Sequence, residues 1–258
     1  MNYKVLSYGM SDIGLVRDNN EDVWLELPDI NTYVLADGMG GHRAGEVAAT
    51  QAVDSFSKEM KKILDKKTSF SLGEIRSEIE HVMQLVNTHV YNMGCRDPEL
   101  KGMGTTLCCL YFHKDGLIRA HIGDSRIYRL RNGEFKQITK DHSLMRELVD
   151  LGQLDEKGEK EFVYKNIITK AVGTEPYVEA SVYVSDLEFG DTYLICSDGL
   201  SDVVSAPSMK EVIEGEGDLK NKGDGLIRLA KEKGGHDNIT IVLLKVEEVL
   251  HGREDLSR

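Results

Sequence analysis

Short apolar segments that end in carboxylates most constrain how this chain folds. Two of them, residues 33–38 (Tyr-Val-Leu-Ala-Asp-Gly) and 193–199 (Tyr-Leu-Ile-Cys-Ser-Asp-Gly), are strand-like runs followed by Asp-Gly. A third run ends at residues 123–125 (Gly-Asp-Ser), and Asp237 stands just before a fourth. One Asp-Gly pair after a strand usually marks a turn, but the recurrence points to more than turns. We expect these strand ends to converge and to bring several carboxylates together.

Carboxylates that share a buried place repel each other and raise each other's pKa, unless a cation neutralises them. The available ligands are oxygens, without a cysteine cluster or paired histidines, which favours magnesium or manganese over zinc or copper. The glycines at 38, 40 and 41 allow a main-chain carbonyl to come within the ~2.1 Å that magnesium requires. Two such ions roughly 3.5–4 Å apart can share a carboxylate and activate a water for attack on phosphorus. The sequence therefore predicts hydrolysis of a phosphoester.

An early polar segment has two interpretations. Residues 17–22 (Arg-Asp-Asn-Asn-Glu-Asp) combine one cation with several anions, directly before an apolar run. The segment is either a solvated turn or a functional site. In the functional interpretation, Arg17 recognises a phosphate, and Glu21 and Asp22 hold metal-bound waters. The residue types alone leave both interpretations open.

Composition and charge exclude several classes of protein. The chain has 258 residues with 32 Lys+Arg against 44 Asp+Glu, a net charge of −12, so we expect no nucleic-acid partner. The N-terminus has no leader pattern, and no apolar run approaches ~18 residues, so we expect neither export nor a membrane partner. The four cysteines are too few and too badly spaced for a disulfide framework, which favours a reduced, cytoplasmic protein.

Hydrophobic patterns predict a mixture of strands and helices. Two helical patterns, at residues 44–56 and 75–90, predict two long helices in succession. Asn132-Gly133 predicts a tight hairpin between residues 127–130 and 135–138. Short runs rich in β-branched and aromatic residues predict further strands at residues 23–27, 32–36, 106–112, 117–122, 192–196 and 239–246.

The chain shows no Pro-rich or Gly/Ser-rich linker, so we predict a single catalytic domain over residues 1–247 and a polar tail over 248–258. An irregular polar stretch, around residues 141–175, predicts a functional flap with one short helix marked by Leu144, Leu148 and Leu151.

Seven motifs in order resemble the metal-dependent type 2C (PPM-type) serine/threonine protein phosphatases. Each motif is weak alone, but the set, which extends from Gly14 to Val246, is specific, and it is most similar to the short bacterial single-domain members. The motifs are Arg17-x-x-x-Glu21-Asp22, residues 36–42 (Ala-Asp-Gly-Met-Gly-Gly-His), 104–106 (Gly-Thr-Thr), 123–126 (Gly-Asp-Ser-Arg), 139–143 (Thr-Lys-Asp-His-Ser), 197–200 (Ser-Asp-Gly-Leu) and 237–240 (Asp-Asn-Ile-Thr).

The resemblance implies a fold and a ligand set. The fold is α+β, a four-layer α/β/β/α sandwich of two mainly antiparallel sheets flanked by helix pairs. The cofactors are Mn2+ or Mg2+, two tightly bound ions and a weaker third. Asp37 would bridge the two ions, the Gly38 carbonyl would bind the first, and Asp198 and Asp237 would bind the second. Asp124, with Asp198, matches the third site.

The resemblance also assigns Arg17 to phosphate binding, and it assigns Glu21 and Asp22 to metal-bound waters or to a metal directly. Two positions depart from the family's pattern. Met39 stands where many eukaryotic members have a histidine, and a thioether cannot protonate a leaving group. Metal-bound water is therefore the expected general acid, with His42 as the weaker candidate. Lys170 stands where the family often has arginine, and lysine lacks the planar fork of a guanidinium.

These features predict a cytoplasmic, monomeric Mn/Mg-dependent phosphatase that hydrolyses phosphoserine and phosphothreonine on proteins by attack of a metal-bridging water. Its expected partners are phosphoprotein substrates, with a bacterial Ser/Thr kinase that it opposes. Two alternatives remain: a non-catalytic regulatory module of the same fold, and a phosphatase dedicated to a sigma-factor regulator. The intact Asp37, Gly38, Asp198 and Asp237 speak against the first, and the short chain without a sensory domain speaks against the second.

Overall fold

The computed structural model describes residues 3–40, 44–66, 69–155, 158, 162, 164 and 167–249. Two short 3-10 helices, Pro28–Ile30 and Pro98–Leu100, accompany the main elements in this part of the chain. The strands are β1 (Tyr3–Asp12), β2 (Asp22–Leu27), β3 (Thr32–Met39), β4 (Gly104–Thr105), β5 (Leu107–His113), β6 (Gly116–Ile122), β7 (Arg126–Arg131), β8 (Glu134–Gln137), β9 (Ser181–Ser185), β10 (Thr192–Cys196) and β11 (Ile239–Glu248). The helices are α1 (Ala44–Lys66), α2 (Leu72–Arg96), α3 (Leu144–Asp150), α4 (Asp198–Ser201), α5 (Ala206–Glu214) and α6 (Leu219–Glu232).

Two antiparallel sheets pack face to face. The first has the strand order β1-β11-β10-β7-β8, and the second has the order β2-β3-β5-β6-β9 with β4 paired to β3. Apolar side chains from both sheets form one buried cluster between them. In that cluster the Phe112 ring meets Tyr33 and Tyr193 edge-on, with ring centroids 5.7 and 5.8 Å apart, a favourable aromatic geometry.

A helix pair covers the outer face of each sheet. The helices α1 and α2 bury Phe56 and Ile79 against the second sheet, and α5 and α6 bury Ile213 and Leu226 against the first. Helix α2 begins where Ser71 and Glu74 form a reciprocal capping box, which satisfies two main-chain N–H groups of the first turn. These layers confirm the predicted α/β/β/α sandwich. In the described ranges, every helix is too short or too polar to cross a bilayer.

The strand that carries Asp37 is longer than predicted. Strand β3 was expected to end at residue 36, but it continues to Met39 because β4 pairs with Gly38 and Met39. Asp37 therefore lies within a paired strand. Asp198 also differs from a plain strand end, because it is the first residue of α4 and follows the N-cap residue Ser197.

Some predicted features fall partly outside the described residues. These are Gly41, His42, the tail from residue 250 onward, and residues 156–157, 159–161, 163 and 165–166 of the predicted flap. The short flap helix is present as α3, although Leu151 lies just beyond it and is exposed.

Candidate active site

One cavity collects most of the predicted site residues. It has a volume of about 310 Å³ and lies where β3, the start of α4 and the loop before β11 meet. Its lining includes Arg17, Glu21, Asp37, Gly38, Asp198 and Asp237. Two predicted residues are placed elsewhere. Asp22 is buried beside the cavity, opposite Asp37 on the neighbouring strand β2. Asp124 lines a separate cavity of about 170 Å³, together with Asp141 and Asp202.

The acidic groups raise each other's pKa. Burial, followed by repulsion from Asp22, Asp198, Asp124 and Asp237, holds the pKa of Asp37 well above its usual range. Burial and the charges of Asp202 and Asp237 raise the pKa of Asp198 to about 6. The site is therefore a concentration of negative charge that strongly favours a bound cation.

The donor set fits a hard divalent cation. Asp37 and Asp198 line the same cavity, and repulsion from Asp198 helps to hold the pKa of Asp37 high, so a proton or a cation must neutralise the pair. Among the described residues, no three His, Cys, Asp or Glu side chains already stand together as a complete metal-binding group. The Asp237 carboxylate instead forms an ion pair with Arg17. Magnesium commonly uses one or two carboxylates and keeps several waters, so this arrangement is sufficient for it.

Hydrogen bonds from Thr105 of β4 and from Thr106, the residue between β4 and β5, fix the backbone of Asp37. The Asp37 N–H donates to Thr106 Oγ1 at 2.9 Å, and the Asp37 carbonyl accepts from the Thr106 N–H at 2.8 Å and from Thr105 Oγ1 at 2.9 Å. Thr106 Oγ1 also lies 2.7 Å from Ser125 Oγ, next to Asp124. Sequence reasoning gave Thr106 no role, although the Gly-Thr-Thr motif was a signal for it.

Asp22 is buried behind Asp37. The Ser197 hydroxyl donates to Asp22 Oδ2 at 2.8 Å and accepts from the Thr240 N–H at 3.0 Å. Burial raises the pKa of Asp22 to about 7, against the opposing effect of hydrogen bonds from Thr240 and Ser197. Asp22 therefore contributes negative charge next to Asp37 without lining the cavity.

Asn238 holds the loop that carries Arg17. Its Oδ1 accepts the Glu21 N–H at 2.8 Å, and its Nδ2 donates to the carbonyls of Ile13 and Asn19 at 3.0 and 2.9 Å. This side chain therefore joins the segment before β11 to Ile13 and, through Asn19 and Glu21, to the early polar segment. Sequence reasoning missed this role as well.

Arg17 forms an ion pair with a predicted metal ligand. Its Nη2 lies 2.6 Å from Asp237 Oδ2, and both side chains are partly exposed at the cavity. The hydrogen bond to Asp237 is the largest of the effects that raise the pKa of Arg17. Arg17 is a fixed cation at the mouth of the acidic cavity, where an incoming anion would compete with Asp237 for it.

Close packing explains the glycine at position 38. A Cβ there would collide with the Gly45 carbonyl in the first turn of α1 and would crowd the Glu21 carbonyl. The Gly38 N–H donates to that Glu21 carbonyl at 3.1 Å. Of the two positions that depart from the family's pattern, Met39 lines the cavity, whereas Lys170 pairs with Glu179 at 3.5 Å.

Manganese is expected to raise the melting temperature of the chelated protein more at about pH 8 than at about pH 5. The folded-state pKa values of Asp22 and Asp198, about 7 and about 6, exceed their ordinary value of 3.8. Without metal, these groups contribute stability at low pH that is lost as the pH rises through those values. A cation relieves the repulsion that appears at high pH.

Thermal denaturation with and without manganese at each pH measures this difference. Groups elsewhere in the protein titrate equally in both samples, so their effect on the melting temperature cancels. An equal or larger stabilisation at the lower pH would contradict the assignment.

Comparison with known proteins agrees with this geometry. The family model described as "Protein phosphatase 2C" matches residues 16–239. The serine/threonine phosphatase stp of Listeria monocytogenes is 35% identical over 247 residues, which cover 95% of this chain and 97% of stp. The structure of the Mycobacterium tuberculosis serine/threonine phosphatase PstP/Ppp superposes with a TM-score of 0.86 at 35% identity, covering 95% of this chain and 99% of that one.

A second solved structure of a similar protein contains metal ions. The catalytic domain of the serine threonine protein phosphatase PstP, in complex with two manganese ions, has a TM-score of 0.83 at 34% identity and covers 96% of this chain and 100% of that one. The match extends over nearly the whole chain and includes the elements that build the acidic cavity. The chain therefore belongs to the protein phosphatase 2C family of metal-dependent serine/threonine protein phosphatases, in its bacterial PPM form.

Proposed function

We propose that the acidic cavity binds two manganese or magnesium ions and hydrolyses phosphoserine and phosphothreonine on proteins. The observation that carries this proposal is a single cavity that brings together three carboxylates and one guanidinium, those of Asp37, Asp198, Asp237 and Arg17. Two bound ions would lower the pKa of a water between them and stabilise charge on the phosphoryl oxygens. A relative's structure with two manganese ions supports this number of sites.

Each acidic residue has a distinct part in this proposal. Asp37 would contact both ions, because its carboxyl group interacts with the other aspartates of the site, Asp22, Asp124, Asp198 and Asp237. The Gly38 carbonyl would complete the first ion's ligands, and Asp198 and Asp237 would hold the second. Glu21, at the cavity wall, would hold water ligands in place. Asp22 would act indirectly, through its negative charge next to Asp37, because the Ser197 hydroxyl holds its carboxylate outside the cavity.

Asp124 is proposed to hold a weaker third ion. It lines the neighbouring cavity, and burial followed by the charges of Asp198 and Asp141 raises its pKa to about 7. Asp37, Asp198 and Asp237 carry about three negative charges, which two divalent ions already exceed. A third ion therefore depends on the charge that Asp124 adds at the edge, and it binds less tightly.

Replacing Arg17 with alanine is expected to raise the KM for a phosphothreonine peptide by roughly 10–100-fold, with a smaller fall in kcat. A charge-assisted hydrogen bond contributes about 1.5–3 kcal/mol, and Arg17 would hold the phosphate in ground and transition states alike. Arg17→Lys should recover part of the affinity, because it keeps the charge but loses the fork. Steady-state kinetics measure both constants. An unchanged KM in Arg17→Ala would contradict the phosphate-binding role of Arg17 and favour the other interpretation, in which residues 17–22 form a solvated turn.

We further propose that the protein acts as a monomer in the cytoplasm and opposes a Ser/Thr kinase. With Met39 at the cavity wall and unable to donate a proton, water is the proposed donor to the leaving alkoxide.

A panel of peptides that differ only in the phosphorylated residue tests the proposed function. With manganese present, we expect phosphate release from phosphoserine and phosphothreonine and much slower release from phosphotyrosine. A separate phosphodiester substrate, followed by release of its alcohol, should be hydrolysed much more slowly than the phosphothreonine peptide. The Asp37→Asn protein, purified in the same way, controls for contaminating phosphatases. Preference for the diester, or no release from any monoester, would overturn the proposal.

A further inference from the structure

His142 holds the main chain immediately before Asp124. The Gly123 N–H donates to His142 Nδ1 at 3.1 Å, and the Gly123 carbonyl accepts from the His142 N–H at 3.0 Å. One residue therefore satisfies both main-chain groups of Gly123. Because Asp124 follows directly in the chain, these two bonds determine where its side chain begins.

Gly123 itself has little freedom to move. Its φ is +102°, a conformation that favours glycine, and a Cβ there would lie 2.6 Å from Thr106 Cγ2. The turn from β6 into Asp124 is thus held between His142 on one side and Thr106 on the other. Thr106 is the residue that also fixes the backbone of Asp37.

The hydrogen bond that Nδ1 accepts fixes the tautomer of His142. Nε2 lies 3.0 Å from Ser181 Oγ on β9, and Nδ1 must carry the lone pair because it accepts a main-chain N–H. The ring stacks on His121, with centroids 4.7 Å apart and planes at 14°. Burial, with the nearby charges of His121 and Lys170, lowers the pKa of His142 to about 3, so the ring is neutral in the working range.

The base of the flap depends on the same residue. The His142 carbonyl accepts the Thr169 N–H at 2.9 Å, so the chain entering the flap and the chain leaving it meet at His142. His142 therefore connects the flap base, β9 and the turn that carries Asp124.

We propose that His142 is a positioning residue, which sets the position of Asp124 through Gly123 and so controls the affinity of the weakest metal site. This inference rests on the proposed function, because it assigns Asp124 to that site. Replacing a residue that orients a metal ligand without binding the metal itself typically lowers metal affinity or activity by about 10–100-fold. A histidine that only filled space would not affect one metal site selectively.

The test compares His142→Leu with His113→Leu. His113 is a matched control, because its Nδ1 accepts the Asp115 N–H at 3.2 Å and its Nε2 lies 2.9 Å from the Phe70 carbonyl. It makes the same kind of contacts, but it lies outside both acidic cavities. Calorimetric titration with manganese alone measures each site's affinity, and kinetics with a phosphothreonine peptide measure the manganese dependence of turnover.

We expect His142→Leu to weaken the weakest manganese site about 10-fold or more, and to raise the manganese concentration for half-maximal turnover to match, without changing the peptide KM. His142→Asn should restore most of the affinity, because its Oδ1 can accept the Gly123 N–H. His113→Leu should lower only the melting temperature. If His142→Leu does not fold, Ser181→Ala, which removes only the Nε2 partner, should weaken the same site.

Combination with Asp124→Asn distinguishes positioning from general damage. Adding His142→Leu to Asp124→Asn should cause no further loss of manganese affinity, because both changes act on one site. An additive further loss, an equal effect of His113→Leu, or an unchanged weakest site in His142→Leu would overturn the inference. None of those three results would contradict the proposed function. A wild-type protein that neither binds manganese nor hydrolyses the peptide would overturn the proposed function itself.

Discussion

Replacing Asp37 with asparagine is expected to lower turnover of a phosphothreonine peptide by about 1,000-fold or more. Asparagine keeps the shape of the side chain but removes the negative charge and the ability to contact two cations. A metal ion supplies several kcal/mol of transition-state stabilisation, and about 4 kcal/mol corresponds to about 1,000-fold in rate. Asp37 has a central place among these acids, because its carboxyl group interacts with Asp22, Asp124, Asp198 and Asp237.

Steady-state kinetics and the manganese content of the purified variant measure this effect together. Asp54→Asn is the matched control, since it makes the same chemical change at an exposed position of α1 and should leave the rate unchanged. An Asp37→Asn protein that keeps its manganese and a rate within tenfold of the wild type would contradict the assignment.

Chelation is the second change with a large expected effect. Treatment with EDTA should reduce phosphopeptide hydrolysis to background, and manganese or magnesium should restore it. The reason is the group of carboxylates that lines the cavity, in which Asp37 and Asp198 repel each other when both are ionised. EDTA already saturated with magnesium serves as the control and should leave the rate unchanged. Hydrolysis that persists after elemental analysis finds no remaining metal would contradict metal dependence.

The strands that carry the site could be predicted from sequence because they are buried on both faces. In β3, Tyr33 to Ala36 are all buried, and in β10 so are Tyr193 to Cys196, which produces short continuous apolar runs. Strand β1 escaped prediction because it lies at a sheet edge and is mostly half-exposed, so its pattern is weak.

Helix α6 escaped prediction for a different reason. Its sequence includes Gly223 and Gly225, which normally argue against a helix. The structure explains Gly223, because a Cβ there would lie 2.6 Å from the Tyr8 ring of β1. The glycine is required by packing between elements that are far apart in the chain, and no local pattern reports such packing.

The acidic residues of the site could be named from their motifs, but their partners could not. The bond between the Glu21 N–H and Asn238 joins residues 217 positions apart, and the Arg17–Asp237 pair spans 220 positions. Such contacts depend on the folded arrangement of the two sheets. The same holds for Asp124, whose place in a neighbouring cavity follows from the turn after β6.

Anomalous X-ray diffraction from crystals soaked in manganese tests the central claim most directly, because it locates the ions without reference to activity. The account predicts two strong peaks on either side of the Asp37 carboxylate, one beside the Gly38 carbonyl and one beside Asp198 and Asp237. It also predicts a weaker third peak beside Asp124 at high manganese concentration. Strong peaks only at positions away from Asp37, in crystals of protein that hydrolyses phosphopeptides, would contradict it.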